Sequence, residues 1–452
     1  MTTRKVVSRT RHAERQISRE FPFGQEMIPA LAGEPHLPQF LVDYRSRAWQ
    51  AFNSLPLPSL ADEPWRRTDL RGLNAGSFRL SQPETGGHLT EVPNEYLQPV
   101  AAQDHGGQIV LLPGGNSIIE LHPDLAAKGV VFTDLVTAER QYPEILNRIL
   151  GQVVRPEEGK FAALAAAFAQ SGVLLYVPRG VQVDLPLQSL FWGPGSGLAH
   201  VSHILVLVDD GASLTYVHES ASQTEPSGQT MHAGIVEIHV GAGANLRFVE
   251  LQSWGEHVWN FTHERARVDR DGNLDWIFGA VGTQLTKNFS DLDLIGQGAV
   301  GRMSGFYFTD GIQHLDHDTQ QNHLAPNTTS DLLFKGALKD RSRSVWQGMI
   351  YVAPGAQKTD GYQANRNLTL SPKARADSIP GLEILADDVR CTHGATVGKI
   401  DPEQTFYLRS RGIPTVEAEK LIVEGFFEPI MQRIPFEGVR GRFQSAIQEK
   451  LV

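Results

Sequence analysis

The chain has 452 residues, 41% of them apolar, and a formal net charge of −10 from 41 Lys and Arg against 51 Asp and Glu. That balance excludes a broad nucleic-acid surface, which needs clustered positive charge. No apolar run reaches the length of about eighteen residues that a membrane-spanning helix requires. One cysteine, Cys391, excludes both an intrachain disulfide and a four-cysteine cluster site built by this chain alone.

The N-terminus, Met1 to Gly24, is polar and basic and lacks the apolar core of a secretory signal. It reads as a flexible arm, and a reducing cytoplasm is the expected compartment. Residues 1–150 read as a mixed, partly helical region broken by Pro35, Pro38, Pro56, Pro58, Pro64 and Pro93. Within it, Leu41–Phe52 predicts a helix, and Gly106–Pro113 a turn and short strand.

A clearer helix is predicted from Gly159 to Ser171. Phe161, Leu164, Ala165 and Phe168 make one apolar stripe, with Gly172 as its stop. Val173–Pro178 then reads as a strand.

Residues 151–400 hold short β-type runs separated by Gly, Asp and Asn turns. One pattern recurs. Gly211-Ala-Ser-Leu214-Thr-Tyr216-Val217 matches Gly243-Ala-Asn-Leu246-Arg-Phe248-Val249 and, more weakly, Asp271-Gly-Asn-Leu274-Asp-Trp276-Ile277. A turn, an aliphatic, an aromatic and a second aliphatic repeat at a spacing of roughly 30 residues. Such a period indicates stacked coils, because one coil alone has no second layer to bury its apolar face. The expected architecture is mainly β: a right-handed parallel β-helix core with helical N-terminal and C-terminal regions. A β-sandwich is the alternative.

Residues 401–452 turn helical. Pro402–Arg411 is one candidate. Thr415 is placed to cap a second, with Glu417 and Glu419 in its first turn. Ala418, Leu421, Ile422 and Gly425 would share a face, widened by Phe426, Phe427, Ile430 and Met431. That face suits packing on the β domain and docking a partner about equally.

The chemistry-bearing residues are few. In Val389–Val397 a strand would place Cys391 and His393 on one side, roughly 7 Å apart along the chain. Thiolate and imidazole are both iron ligands. Two ligands are too few for a cluster, so a ligand role implies a site completed by another chain. A second group, His314-Leu-Asp316-His317-Asp318 with His323, resembles a metal site in composition. Its H-x-x-H spacing sends the two imidazoles to opposite faces of a strand, which favours structural hydrogen bonding. No G-x-S-x-G elbow is present. Gly193–Gly197 and Gly241–Gly243 lack the Lys-Ser/Thr of a phosphate loop, so no nucleotide is expected on this chain.

From residue 360 on, the chain resembles the SufB/SufD family of iron–sulfur cluster assembly proteins. The runs that carry the resemblance are Asp360–Asn367, Ser378–Ile384, Ala386–Ile400 and Gln404–Ile413. His314–His317 with His323, Phe161–Phe168, Tyr176–Val181 and Glu63–Leu70 extend it over most of the chain. It is weakest before residue 40. Cys391-Thr-His-Gly-Ala-Thr-Val-Gly398 and the single cysteine resemble the SufD branch. SufB-like chains tend to read His-Glu-Ala-Thr there and to carry more cysteines.

The resemblance implies a non-catalytic scaffold subunit. It would pair with a SufB-like subunit through strands near the end of the β-helix and dock a SufC-type ABC ATPase on its C-terminal helices. A transient iron–sulfur cluster would form at the subunit interface, with His393 and then Cys391 as candidate ligands. ATP chemistry would belong to the ATPase, and sulfur would come from a cysteine desulfurase. A homodimer is an expectation for the isolated chain. The competing readings are a β-helix carbohydrate-active enzyme and a homodimeric SufB-like scaffold.

Overall fold

In a computed structural model, the protein is described over residues 18–31, 37–81, 92–97, 105–115, 117–434 and 436–451. Most of the basic N-terminal arm, residues 1–17, and Pro35 lie outside this set.

The strands of the described residues, in chain order, are β1 (Arg79–Leu80), β2 (Gly107–Leu111), β3 (Ser117–Leu121), β4 (Val131–Asp134), β5 (Ser171–Val177), β6 (Leu187–Trp192), β7 (Leu198–Val208), β8 (Ser213–Ala221), β9 (Thr230–Val240), β10 (Asn245–Ser253), β11 (Val258–Val268), β12 (Asn273–Ala280), β13 (Leu285–Leu294), β14 (Val300–Thr309), β15 (His314–His323), β16 (Thr329–Leu338), β17 (Arg343–Val352), β18 (Asp360–Thr369), β19 (Arg375–Ile384) and β20 (Arg390–Gly398). From β5 onward each strand pairs in parallel with the strand two places on. Two ten-stranded sheets result, one ending on β19 and the other on β20. This is a β-solenoid of about eight turns.

The repeat shows why the coils stack. Leu214, Leu246 and Leu274 stand in register, as do Tyr216, Phe248 and Trp276. Both rows face inward and are buried. The aromatic rings follow one another at centroid distances of 5.5 and 6.0 Å. The third row, Val217, Val249 and Ile277, points outward. It is buried all the same, because the C-terminal helices lie on it.

The turn that opens each copy has a backbone reason. Gly211, Gly243 and Asp271 have φ of 65°, 64° and 56°, and Gly298, Asn327 and Lys358 continue the series at 76°, 57° and 60°. Each donates its N–H to the next coil, ending with Lys358 to Asp388 O. Gly and Asn enter the left-handed region at least cost. The repeat therefore runs three coils further than its side chains reveal.

Two helical layers cover the solenoid. The helices are α1 (Gln39–Ser54), α2 (Asn94–Leu97), α3 (Pro123–Ala127), α4 (Leu135–Gln141), α5 (Pro143–Ile149), α6 (Lys160–Phe168), α7 (Pro402–Ser410), α8 (Thr415–Met431) and α9 (Glu437–Leu451). Helices α1 and α6 pack together over the outer face of the β19-side sheet, against Leu205, Met231, Phe261 and Leu285. Helices α8 and α9 cover the outer face of the other sheet, with Phe306 against Phe427 and Phe443.

Four expectations change. Helix α6 is not one-sided: all of Phe161–Phe168 are buried, because it lies between α1 and the sheet. Gly172 does not stop that helix. It sits inside β5, where a β-carbon would come within 2.0 Å of His203 O. Thr415 is the first residue of α8, and Pro414 occupies the cap position. The buried stripe of α8 is Ala418, Val423, Phe427, Ile430 and Met431, leaving Leu421 exposed.

No helix of the described residues is long and apolar enough to cross a membrane.

Candidate functional site at the end of the solenoid

The last coil is built by β19 and β20, and among the described residues each has a sheet neighbour on one side only. An edge strand presents unpaired N–H and C=O groups, and proteins ordinarily blunt or cover such edges. Repeat arrays need polar terminal caps for the same reason. This end instead carries Ile384, Leu385 and Val397, of which Leu385 and Val397 are 52% and 50% exposed.

Cys391 and His393 lie on β20. Its register sets Cys391 opposite Gly361 and His393 opposite Gln363. The alternate residues Gly361, Gln363, Asn365 and Asn367 are buried and form the inner face of β18. Cys391 and His393 therefore share the inner face of a coil that nothing overlies among the described residues. His393 is exposed, whereas Cys391 is half-buried against Ile350, Val352 and Ala356. Burial pushes the Cys391 thiol up, helped by the nearby Asp360 carboxylate and opposed by a backbone hydrogen bond from Gly361.

The floor beneath them is polar. Gln363 donates to Gly348 O and Gly381 O, and its Oε1 has no partner. Ser378 of β19 donates to Asn365 Oδ1 at 2.8 Å, and Tyr307 donates to Asn367 Oδ1 at 2.6 Å.

The other histidine group is split by strand alternation. His314 and Asp316 face outward beneath the N-terminal layer. There His314 Nε2 meets Thr68 Oγ1 at 2.9 Å, and Asp316 holds the wholly buried Lys287 at 3.0 Å. His317 and His323 face inward. Burial pushes His314 and His317 down to about 3, and His323 to about 4, so all three are neutral at physiological pH. No group of three or more His, Cys, Asp or Glu among the described residues is placed to hold a metal ion.

Sequence reasoning missed a second interior feature. Glu250 and Glu264 face one another inside the solenoid, both pushed up by burial, with Asn288 and Ser290 donating to Glu264. Their strands, β10 and β11, belong to different sheets, so only the facing of the two sheets across the interior reveals the pair. Gly361 and Gln363 were missed as well, because only the pairing of β18 with β20 sets them opposite Cys391 and His393.

Stacked coils between two helical layers, with an open end that carries a thiol and an imidazole, define a protein of the β-solenoid class. Residues 191–426 match the family described as SUF system FeS cluster assembly, SufBD core domain, and residues 33–189 match the SufBD protein N-terminal region. The chain belongs to the SufBD family of iron–sulfur cluster assembly proteins. It is similar to the iron–sulfur cluster assembly protein SufD of Bacillus subtilis (strain 168), 33% identical over 94% of this chain and 98% of that protein. It is also similar to SufB of the same organism, 29% identical over 91% and 90%. A SufBD family protein of Staphylococcus epidermidis is 30% identical over 88% and 87%.

Proposed function

We propose that this chain is a SufD-type, non-catalytic scaffold subunit acting in the cytoplasm. It pairs with a SufB-like subunit through β19 and β20 and contributes His393, with Cys391 behind it, to a cluster formed at that interface. The observation that carries this reading is the uncapped last coil, where an exposed imidazole and exposed apolar residues share an open sheet end. Similarity to SufB and to SufD is close to equal. The SufD assignment is supported by the single cysteine and by Cys391-Thr392-His393 itself.

The C-terminal helices are the dock for a SufC-type ATPase. Phe406, Tyr407 and Val416 are 72%, 56% and 69% exposed on α7 and α8, on the outward side of a layer whose other face is buried. Arg442 to Glu219, Lys335 to Phe426 O and Lys450 to Asp310 tie that layer to the solenoid, so movement of the helices strains the coils. Sulfur comes from a cysteine desulfurase, and ATP is bound by the ATPase.

Anaerobic co-purification from the native cell, with iron and sulfide analysis, tests the assembly. Recovery of an ABC ATPase and a second SufBD subunit is expected, and recovery of a homodimer alone sinks the pairing. His393→Ala should leave folding and ATPase docking intact and lower cluster yield on the assembled complex. Unchanged yield removes His393 from the ligand set.

A further inference from the structure

Glu250 and Glu264 are buried on the inner faces of β10 and β11 and line one small interior void. The other ionisable groups lining that void are His218 and His232, which burial pushes down to about 3 and about 4, so both are neutral at physiological pH. Tyr216, pushed up by burial, and His317, pushed down to about 3 behind Phe278, are uncharged too. The nearby charges stand on the outer faces. Arg265 pairs with Glu158 and Asp291, Lys287 with Asp316, and Glu219 with Arg442. Among the described residues, no cation faces the two carboxyl groups.

Two carboxylates facing one another away from water do not both ionise, so such a pair holds a proton. The hydrogen bonds say which member carries it. Asn288 Nδ2 donates to Glu264 Oε1 at 2.8 Å, and Ser290 Oγ lies 2.9 Å from Glu264 Oε2. Ser290 has one hydroxyl proton, for which Asn288 Oδ1 competes at 2.5 Å, but the Asn288 amide donor has no such rival. Glu250 is poorer in donors. Its Oε2 has no partner. His218, opposite it in register, is occupied by Ser189 and Ser220, and the Gln252 amide donates to Thr286. Burial and the Glu264 charge push Glu250 up against the Trp276 indole N–H, whereas Asn288 and Ser290 oppose the effect of burial on Glu264. Glu264 suits the ionised form and Glu250 the acid, since a buried charge needs donors.

We propose that Glu250 donates a single shared proton to Glu264, and that this bond is a pH-sensitive clasp joining the two sheets in the middle of the solenoid. At alkaline pH the proton passes to solvent and leaves two carboxylates opposed in the core. The strands involved seat both helical layers. Val249 and Leu251 of β10 lie under the C-terminal helices, and Phe261 of β11 stacks on Phe161 of α6 at 3.7 Å. Parting of the sheets at this point therefore loosens both layers together. Glu250 holds its proton more tightly folded than unfolded. The stability it confers is fully present below the ordinary glutamate value of 4.5 and is lost as pH rises above it.

Infrared spectroscopy of the full chain at neutral pH reads the proton directly. The native chain should show a protonated-carboxyl stretch that moves when glutamate side chains carry carbon-13, and Glu250→Gln should abolish it. The amide installed by Glu250→Gln still donates to Glu264 but has no proton to lose. Glu264→Gln instead presents one oxygen where the carboxylate presents two. Glu250→Gln should therefore be the better tolerated of the two by denaturant midpoint. The ratio of its folding constant to that of the native chain should rise by up to about tenfold per pH unit from about pH 5 upward. At about pH 9 limited proteolysis should release the C-terminal helices faster from the native chain than from Glu250→Gln. Circular dichroism checks the fold of each variant. Absence of the band in the native chain overturns the proposal, and that result stands even where a variant fails to fold. A band that survives Glu250→Gln, a ratio flat with pH, or Glu264→Gln as the better tolerated variant also overturns it. Equal proteolysis at about pH 9 overturns the clasp.

Discussion

Val397→Asp isolates the open end of the solenoid. Val397 lies on the inner face of β20 opposite buried Asn367, yet half of its surface remains exposed because no further coil follows among the described residues. Complete burial of a valine is worth about 1.5–3 kcal/mol, so the exposed half represents about 1 kcal/mol that pairing would recover. An aspartate there forfeits that term and leaves a carboxylate without a counter-ion in a closed interface, a further penalty of at least about 2 kcal/mol. The sum of about 3 kcal/mol corresponds to roughly hundredfold weaker pairing. In the free chain the same substitution touches a surface position, where changes usually stay within about 0.5 kcal/mol. The assay is sedimentation of the two-subunit mixture beside chemical denaturation of the isolated variant. Val416→Asp on α8 is the control: subunit pairing should be unchanged while ATPase docking weakens. Undiminished pairing with Val397→Asp would show that β20 is not the interface. A large loss of the chain's own stability would show that Val397 belongs to the core.

Other residues give independent tests. Glu237 is wholly buried and accepts from the backbone N–H groups of Gly151, Val153 and Val154 and from His203 Nε2. Glu237→Ala leaves these groups without a partner and should cost about 3–5 kcal/mol, seen as faster hydrogen exchange across residues 151–154. Asp318 is pushed up to about 6, chiefly by burial. Its folded value lies above its unfolded one, so the folded state gains stability as pH falls from about 7 toward 4 and loses it as pH rises through 6. Asp318→Asn should therefore be more stable than the native chain at pH 7.5, with the difference shrinking on acidification. Thermal melts across that range check the sign. Lys358 holds φ of 60° in the final turn, and its ion pair with Asp388 is exposed. Lys358→Gly should stabilise by about 0.5–1 kcal/mol, measured by denaturant midpoint, because relief of backbone strain exceeds the worth of a surface ion pair.

Much of the architecture was legible because it is periodic. The repeat at 211, 243 and 271 forms three in-register coils, and its aliphatic, aromatic and aliphatic positions are the ones that stack. The series continues at 298, 327 and 358, where the shared property is a left-handed backbone angle rather than a side-chain type. A search for similar side chains passes over it. Helix faces were read less well. Stripe reasoning assumes one buried side, whereas α6 is covered all round and α8 turns Val423, not Leu421, to the sheet.

The sequence by itself determined the stacked-coil core, the helical regions flanking it, the lone thiol and its nearness to His393 on one strand. These are local properties: period, composition and alternation. Tertiary structure alone decided what surrounds that thiol. Parallel pairing across coils brings Gly361 to Cys391 and Gln363 to His393, and one residue of register shift would exchange inner and outer faces. The same pairing separates His314 from His317 and leaves β19 and β20 without a further neighbour among the described residues. A site made of residues one coil apart has no contiguous motif, since each coil contributes one member roughly 30 residues from the next.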